Sequence, residues 1–292
     1  MSRALVVVEP GLLTLVQDAG RPGLARWGVG PSGAADRESC RRANDLVGNA
    51  PGAAVLEHVG GGLRLRAVGD AWVAVAGAPC DVSVDDAAEV HDARIRLRDG
   101  AELVVGPAQR GLRSYVAVRG GIDVVPVLGS RSRDVLAGLG PEPLRRDDVL
   151  PLGPVEDAPW TPRANRRRTW REGVIELEAL VGPRHERVPG FEALLDGEWE
   201  VTAASSRVAL RLGRPEGSHA GSLAWDAERE WPSEGLVRGA VQVPPSGLPV
   251  LFLADHPVTG GYPVVAVVLD ADTDVAGQAR PGQRVRFVGV SG

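Results

Sequence analysis

Apolar and polar positions alternate along most of this chain in short runs, the two-residue period of strands with one buried face. Val6 to Val8 and Leu12 to Val16 read as strands on either side of a turn at Pro10-Gly11. Val55 to Val59, Leu63 to Ala67, Ala71 to Ala76, Ile95 to Leu97, Glu102 to Val105 and Ser114 to Val118 are β-rich and turn-bounded, so each is predicted as a strand. The period changes between Ala34 and Val47, where Ala35, Cys40, Ala43, Leu46 and Val47 share one helical face. Ser32 or Asp36 is placed to cap that helix, and Gly48-Asn49 to end it. A second strand-rich half runs from Val174 to Val290, with one short helix expected around Phe191 to Leu195. Neither half alternates strands with helices as a parallel α/β sheet requires. The expected fold is therefore mostly β: two β-barrel-like domains with a few short helices.

The first domain is expected over 1–155, with a mobile surface loop near 129–140 that is rich in Gly, Ser and Arg and poor in apolar pattern. A linker is expected over 156–171, where prolines, Trp160, Trp170 and Arg166-Arg167-Arg168 cluster, and the second domain over 172–292. Trp27 to Gly33 echoes Gly239 to Gly247 in turn chemistry, a likeness that duplication and coincidence explain equally well.

Composition sharpens this picture. The 292 residues include 38 Gly and 23 Pro but only 1 Met and 3 Phe, a mixture suited to short strands and tight turns. A net charge of −5 argues against a nucleic-acid partner. Cys40 and Cys80 form no CxxC motif, which points to a reducing compartment without a disulfide frame. The apolar run near the start is too short for a signal peptide, and no stretch is long enough for a membrane span, so a cytoplasmic location is expected. The chain contains no lysine, and arginine supplies all 33 cationic side chains. That excludes a pyridoxal phosphate Schiff base, a complete P-loop, and biotin or lipoyl attachment, so no covalent cofactor is expected on this chain. Arginine keeps its proton near neutral pH, so these cations serve as clamps rather than bases.

Several clusters carry candidate chemistry. Gly28-Val29-Gly30-Pro31-Ser32-Gly33 fits GxGxxG, with Glu57 downstream. No buried parallel strand precedes it, however, and Pro31 removes an amide that would face a phosphate. A turn into a helix N-terminus is the better reading, and such a terminus can hold a carboxylate. In Gln17-Asp18-Ala19-Gly20-Arg21, either Asp18 satisfies local amides or Arg21 grips a carboxylate with its planar fork. Asp36 and Asn44 project from similar sides of the helix, with Asn49 and Glu57 beyond it; ordinary helix-surface polarity accounts for them as well as ligand binding does. Gly129-Ser130-Arg131-Ser132-Arg133 offers amides, hydroxyls and guanidinium groups to a phosphate, although such clusters also occur in purely flexible loops. His58, His91, His185, His219 and His256 lack metal-ligand spacing, and no GxSxG elbow is present. The strongest local signal is Asp255-His256-Pro257-Val258-Thr259-Gly260-Gly261-Tyr262-Pro263, where reactive side chains crowd a turn after an apolar strand.

These segments occur in the order of one family. Gln17 to Arg21, Gly33 to Asp36, Ala43 to Asn49 and Leu56-Glu57 resemble its N-terminal signature. Arg113 to Ile122 and Leu128 to Ser132 are similar to its middle, while Gly239 to Pro249, Thr259 to Pro263 and Gln278 to Phe287 resemble its C-terminal part. The family comprises the 5-oxoprolinase C subunit, KipA-like proteins and the carboxyltransferase segment of urea carboxylase. The resemblance implies cyclophilin-like β-barrels and a complex with a KipI-like B subunit and an A subunit. It also implies ATP with Mg2+, used at the level of that complex, for opening 5-oxo-L-proline to L-glutamate. A lactam resists water because its nitrogen donates into the carbonyl; phosphorylating the amide oxygen creates a leaving group, which requires clamps and positioning. Two alternatives follow from the same resemblance. One is biotin-dependent carboxyl transfer to urea or a similar small amide, with a separate biotin carrier; the other is a KipA-like regulatory subunit of a KipI-like partner. Two departures from the family pattern stand out. Ser205-Ser206-Arg207-Val208-Ala209 replaces Ser-Asn-Arg-Met-Gly, and Arg133 stands where threonine is usual.

The residues expected to do the work are His256, Tyr262 and Asp36 in catalysis. Arg21, Asn44, Glu57, Ser130, Arg131, Arg207, Gln242, Thr259 and Gln278 are expected to bind substrate. Convergence of both halves on one cleft is expected, with Arg21 or Arg207 gripping the substrate carboxylate and Gln242 its amide.

Overall fold

The computed structural model describes residues 3–155, 170, 173–218, 223 and 232–290. Apart from Trp170, the expected linker at 156–171 lies outside the described residues, as does His219. The chain forms two compact units. The first comprises Met1–Arg21, Ser32–Asp134 and Gly138–Trp170; the second comprises Pro22–Pro31, Val135–Ala137 and Arg171–Gly292.

In the first unit the alternating pattern produces two sheets. One has the strand order Val149–Pro151, Ala4–Pro10, Leu63–Val68, Glu102–Ala108, Cys80–Val84, Ala87–Glu89. The other runs Leu13–Gln17, Val55–Val59, Arg113–Val118, Ala71–Gly77, Arg94–Leu97. Leu63–Val68 shows the logic of the pattern. Leu63, Leu65 and Ala67 enter the core, while Arg64 and Arg66 face outward and pair with Glu102 on the next strand. The core they enter also takes Leu5 and Val7 from their own sheet and Val16, Leu56, Val73 and Val116 from the other. Because each sheet buries its apolar face on the other, both keep edge strands and neither needs to close.

The helix α1 (Arg37–Val47) covers the outer face of the five-stranded sheet. Ala34, Cys40, Ala43 and Val47 pack there on Ala74, Ala76, Tyr115 and Ala117, so Arg113–Val118 is buried on both faces. Small residues on both surfaces let helix and sheet approach closely. Asp36, rather than Ser32, caps α1; it accepts bonds from the Ser39 amide at 3.0 Å and the Ser39 hydroxyl at 2.6 Å. Gly48 ends the helix in the left-handed region at φ 76°.

Leu13–Gln17 is an edge strand whose outer side is not left open. The Arg133 amide donates to the Val16 carbonyl and the Leu144 amide to the Thr14 carbonyl. That cover brings the Gly-Ser-Arg segment against the end of this strand.

The second unit is a closed seven-strand barrel in the order Ile175–Val181, Val264–Val268, Ala240–Gln242, Val250–Phe252, Ala209–Gly213, Glu198–Val201, Arg284–Gly289. Its last and first strands pair in parallel, and this closes the ring. Leu177, Trp199, Leu212, Val241, Leu251, Val285 and Phe287 fill the interior. The expected short helix is present as α2 (Glu192–Asp196), tied down by the Trp199 indole, which donates to the Leu194 carbonyl at 3.1 Å. A third helix, α3 (Asp270–Ala276), was not anticipated: its acidic sequence hides the burial of Thr273, Asp274 and Ala276. Arg238 holds it, reaching Asp274 at 2.6 Å and Asp270 at 3.2 Å. The chain is therefore mostly β with three α-helices among the described residues. No described helix is long and apolar enough to cross a membrane.

His58 is buried opposite Thr14 on the neighbouring strand. The Thr14 hydroxyl donates to the Pro10 carbonyl, so the imidazole donates from Nδ1 to Thr14 Oγ1 at 2.8 Å. Burial pushes the His58 pKa from 6.5 down to about 4, against partial support from the Leu13 and Gly61 carbonyls. Between those values the unfolded chain binds a proton that the folded chain excludes, so stability falls as pH falls from 6.5 toward about 4. Urea unfolding at pH 7 and pH 5 should show this loss. In His58→Asn, whose amide can still donate to Thr14, the loss should shrink; an unchanged pH dependence in that variant would assign it to other groups.

Candidate functional site

In the first unit the candidate residues gather at the end of Leu13–Gln17. Asp18 Oδ1 accepts the Ser130 hydroxyl at 2.6 Å, the Ser132 hydroxyl at 2.5 Å and the Gly20 amide at 2.7 Å. Its Oδ2 accepts the Arg131 amide at 2.6 Å. The Ser132 hydroxyl in turn accepts the Asp18 amide at 2.9 Å. Asp18 thus satisfies local amides, one of the two readings of its turn. The amides and hydroxyls of Ser130 to Ser132, which read as a phosphate cradle, close on the chain's own carboxylate. The Arg131 side chain lies at the surface, bonded to the Val124 carbonyl and to Asp123. Arg133 pairs with Glu142 at 2.7 Å. The segment was expected to have little apolar anchoring; Ser130, Ser132 and Asp134 are buried on polar anchors, which an apolar pattern cannot reveal.

Arg21 is buried in the same place. Its Nε donates to the Val127 carbonyl at 3.3 Å and its Nη2 to the Ser132 carbonyl at 2.5 Å, while Nη1 has no hydrogen-bond partner. Gln17 is built similarly: Nε2 donates to the Arg133 carbonyl at 2.9 Å, and the buried Oε1 has no partner. Ser32 Oγ donates to that same Arg133 carbonyl.

Asp36, Glu57 and Asn44 support α1. Glu57 Oε2 accepts the Ala35 amide at 2.9 Å and the Tyr115 hydroxyl at 2.8 Å, and Tyr115 Oη accepts the Asp36 amide at 2.8 Å. Arg113 lies 3.4 Å from Glu57 Oε1. Burial, then the nearby Glu57 and Asp36 carboxylates, push the Tyr115 pKa well above its usual 10, so the phenol stays a donor. Asn44 donates to the Ala53 carbonyl and accepts from Asn49, which in turn bonds the Val118 carbonyl and the Gly120 amide. Both asparagines therefore clamp the helix end to the sheet.

In the second unit the turn from Ala254 to Pro263 carries most of the candidates. Arg207 grips Asp255 with both arms of its fork, Nε to Oδ2 at 2.9 Å and Nη2 to Oδ1 at 3.1 Å, with both side chains buried. His256 is buried beside Asp255 and donates from Nδ1 to the Pro257 carbonyl at 2.8 Å. Gln242 donates from Nε2 to the Tyr262 carbonyl at 2.7 Å. A Cβ at Gly260 would lie 2.5 Å from that Nε2, so a side chain there would require Gln242 to shift. Thr259–Gly260 pairs with Glu234–Gly235, Tyr262 is 43% exposed, and Gln278 is buried just beyond α3. Arg21, Asp36, Asn44, Glu57, Ser130 and Arg131 thus belong to the first unit, and Arg207, Gln242, His256, Thr259, Tyr262 and Gln278 to the second.

Sequence reasoning did not single out Tyr115, nor Asp255 and Gln17 as individual residues. Tyr115 had one usable signal: it is one of only 2 tyrosines in the chain, and it sits inside a strand.

Comparison with known proteins adds the following. A family model described as carboxyltransferase domain, subdomain A and B, matches residues 27–289. The 5-oxoprolinase C subunit of Escherichia coli K12 is 35% identical over 97% of this chain and 90% of its own length. The urea amidolyase of Lachancea kluyveri is 31% identical over 99% of this chain but 17% of its own length. Among solved structures, TTHA0988 matches with a TM-score of 0.86 at 37% identity, covering 98% of this chain and 56% of that one. The Kluyveromyces lactis urea amidolyase matches with a TM-score of 0.89 at 30% identity, covering 99% of this chain and 19% of that one.

The Arg207–Asp255 pair is 3% and 0% exposed, so removing one partner strands a buried charge. Asp255→Ala should destabilise the second unit by about 3–5 kcal/mol in chemical unfolding. Arg207→Met combined with Asp255→Ala should recover part of that loss; a double variant at least as unstable as Asp255→Ala would show that the ion pair is not the cause.

Proposed function

The chain belongs to the carboxyltransferase-domain family, subdomains A and B, and from that membership we propose that it is the C subunit of an ATP-dependent 5-oxoprolinase. In this reading it works in the cytoplasm with a B subunit and an A subunit. Together they convert 5-oxo-L-proline to L-glutamate as ATP is hydrolysed. The observation that carries the reading is the likeness to a 5-oxoprolinase C subunit along nearly the whole of both chains. In this scheme magnesium arrives with the nucleotide that the complex consumes.

The chain's own residues fit a binding and positioning role. Its cations are all arginines, which grip anions without exchanging protons. We assign the substrate carboxylate to Arg21 rather than Arg207, because Asp255 already fills the Arg207 fork. Tyr115, Asp36 and Glu57 hold α1 beside the sheet and take no part in proton transfer in this scheme. In the second unit the His256 ring is oriented by the Pro257 carbonyl, and no contact with the substrate held by Arg21 is assigned to it.

A second reading draws on the urea amidolyase relatives and the family description. Here the chain transfers a carboxyl group from carboxybiotin on a separate carrier to a small amide. The two readings separate in one assay. Purified chain alone should release no glutamate from 5-oxoproline and ATP, and adding the A and B subunits should restore release that omission of this chain abolishes. Turnover by the isolated chain would contradict the assignment. A reconstituted mixture that is inert to 5-oxoproline but transfers carboxyl from free carboxybiotin to urea would establish the second reading instead.

A further inference from the structure

The end of Leu13–Gln17 buries polar capacity that the protein does not use. Arg21 is 2% exposed and has no ion-pair partner among the described residues; two of its nitrogens are spent on carbonyls, and Nη1 donates to nothing. Gln17 is 0% exposed, and its Oε1 accepts nothing. A buried donor or acceptor left without a partner is destabilising, more so when charged, so these two call for an explanation. The two side chains are fastened to consecutive carbonyls of one loop, Arg21 to that of Ser132 and Gln17 to that of Arg133. Nη2 and Nε2 are therefore fixed, while Nη1 and Oε1 are buried and make no hydrogen bond. The loop carrying those carbonyls is itself held by Asp18 and by the Arg133 amide on Val16, so the pair is preorganised.

We propose that Arg21 Nη1 and Gln17 Oε1 form one recognition site for a small molecule that carries a carboxylate beside an amide N–H. A cationic donor suits the carboxylate, and a carbonyl acceptor suits the N–H, so the pair rejects molecules lacking either group. The first ligand to test, 5-oxo-L-proline, rests on the function proposed above; the site itself rests on the two unspent atoms. Gln17 is then a binding residue alongside Arg21, and Asp18 a positioning residue that acts through Ser130 and Ser132.

The test is a titration calorimetry matrix on the full chain, alone and in the reconstituted complex. Its probes are 5-oxo-L-proline, N-methyl-5-oxo-L-proline, which lacks the N–H, and 2-pyrrolidinone, which lacks the carboxylate. Wild type should bind 5-oxoproline most tightly. Arg21→Met should weaken 5-oxoproline about tenfold to a hundredfold, the scale of a lost hydrogen bond to a charged group, and leave 2-pyrrolidinone unchanged. Gln17→Met should weaken 5-oxoproline but not the N-methyl compound. Folded variants that affect all three probes equally, or none, overturn the proposal. So does a crystal structure of the wild-type chain grown with 5-oxoproline in which only an ordered water joins Nη1 to Oε1. That structure also decides the matter if a variant fails to fold. Glutamate release by the complex without binding at this site would sink the site and spare the function. Binding that follows the predicted pattern in a complex that releases no glutamate would do the reverse.

Discussion

The Asp18 carboxylate organises the first unit's candidate site. A carboxylate buried without partners would lose several kcal/mol of hydration, yet this one sits among the Ser130 and Ser132 hydroxyls and the Gly20 and Arg131 amides. Those donors come from two segments more than a hundred residues apart in sequence. Their convergence joins the end of an edge strand to a loop with little apolar surface of its own. Once the loop is in place, the carbonyls of Val127, Ser132 and Arg133 point at Arg21 and Gln17 and fix both side chains. The same loop covers the exposed edge of Leu13–Gln17 through the Arg133 amide. One carboxylate therefore supports edge protection, loop conformation and the orientation of the nearest buried cation.

Having no lysine, the chain carries its permanent positive side-chain charge on arginine alone, used in separate ways. Some guanidinium groups are neutralised by carboxylates: Arg207 by Asp255, Arg238 by Asp270 and Asp274, and Arg42 by Asp92. Others lie over aromatic rings, Arg94 over Trp72 at 4.0 Å and Arg214 over Trp199 at 3.9 Å. Arg21 belongs to neither group: carbonyl oxygens meet it, and these partial negative charges hold a cation without cancelling its charge. A guanidinium held that way keeps an attraction for anions that one saturated by a carboxylate has lost. This difference in partners separates the Arg21 environment from that of Arg207, although both are buried.

Much of the strand framework was legible because two-residue alternation reports a half-buried sheet directly; Leu63–Val68 is the clearest case. The helix at Arg37–Val47 was legible for the complementary reason, a change of period. Three features resisted. Alternation marks which face is buried, not whether the sheet closes, so barrel and paired sheets looked alike in the first unit. In α3 the acidic residues that mask helical burial are those that Arg238 binds, a pairing with Asp274 across 36 positions. At the site, residue type marked Arg21, Ser130 and Asp36 as polar candidates without revealing how each is employed. Asp36 is spent capping a helix, Ser130 on Asp18, and only Arg21 keeps an unspent donor. Hydrogen-bond accounting needs partners from distant segments, and a single sequence does not display them.

The two departures from the family pattern can be understood in these terms. Ser206, Val208 and Ala209 differ in side chain, but the backbone around them is bonded whatever side chain is present. The Ser206 amide donates to the Ala209 carbonyl, the Leu253 amide to the Val208 carbonyl and the Asp255 amide to the Arg207 carbonyl. Arg207 is therefore presented to Asp255 by main-chain bonds that do not require the amide side chain or the glycine. At Arg133 the atoms the site uses are likewise main-chain: the amide on Val16, and the carbonyl that receives Gln17 and Ser32. The unusual guanidinium points elsewhere, to Glu142 and the Gly140 carbonyl. Threonine would preserve every one of those main-chain contacts. A family signature can thus vary at these positions while the geometry around Arg21 and Arg207 is kept, since backbone, rather than the varying side chain, does the positioning.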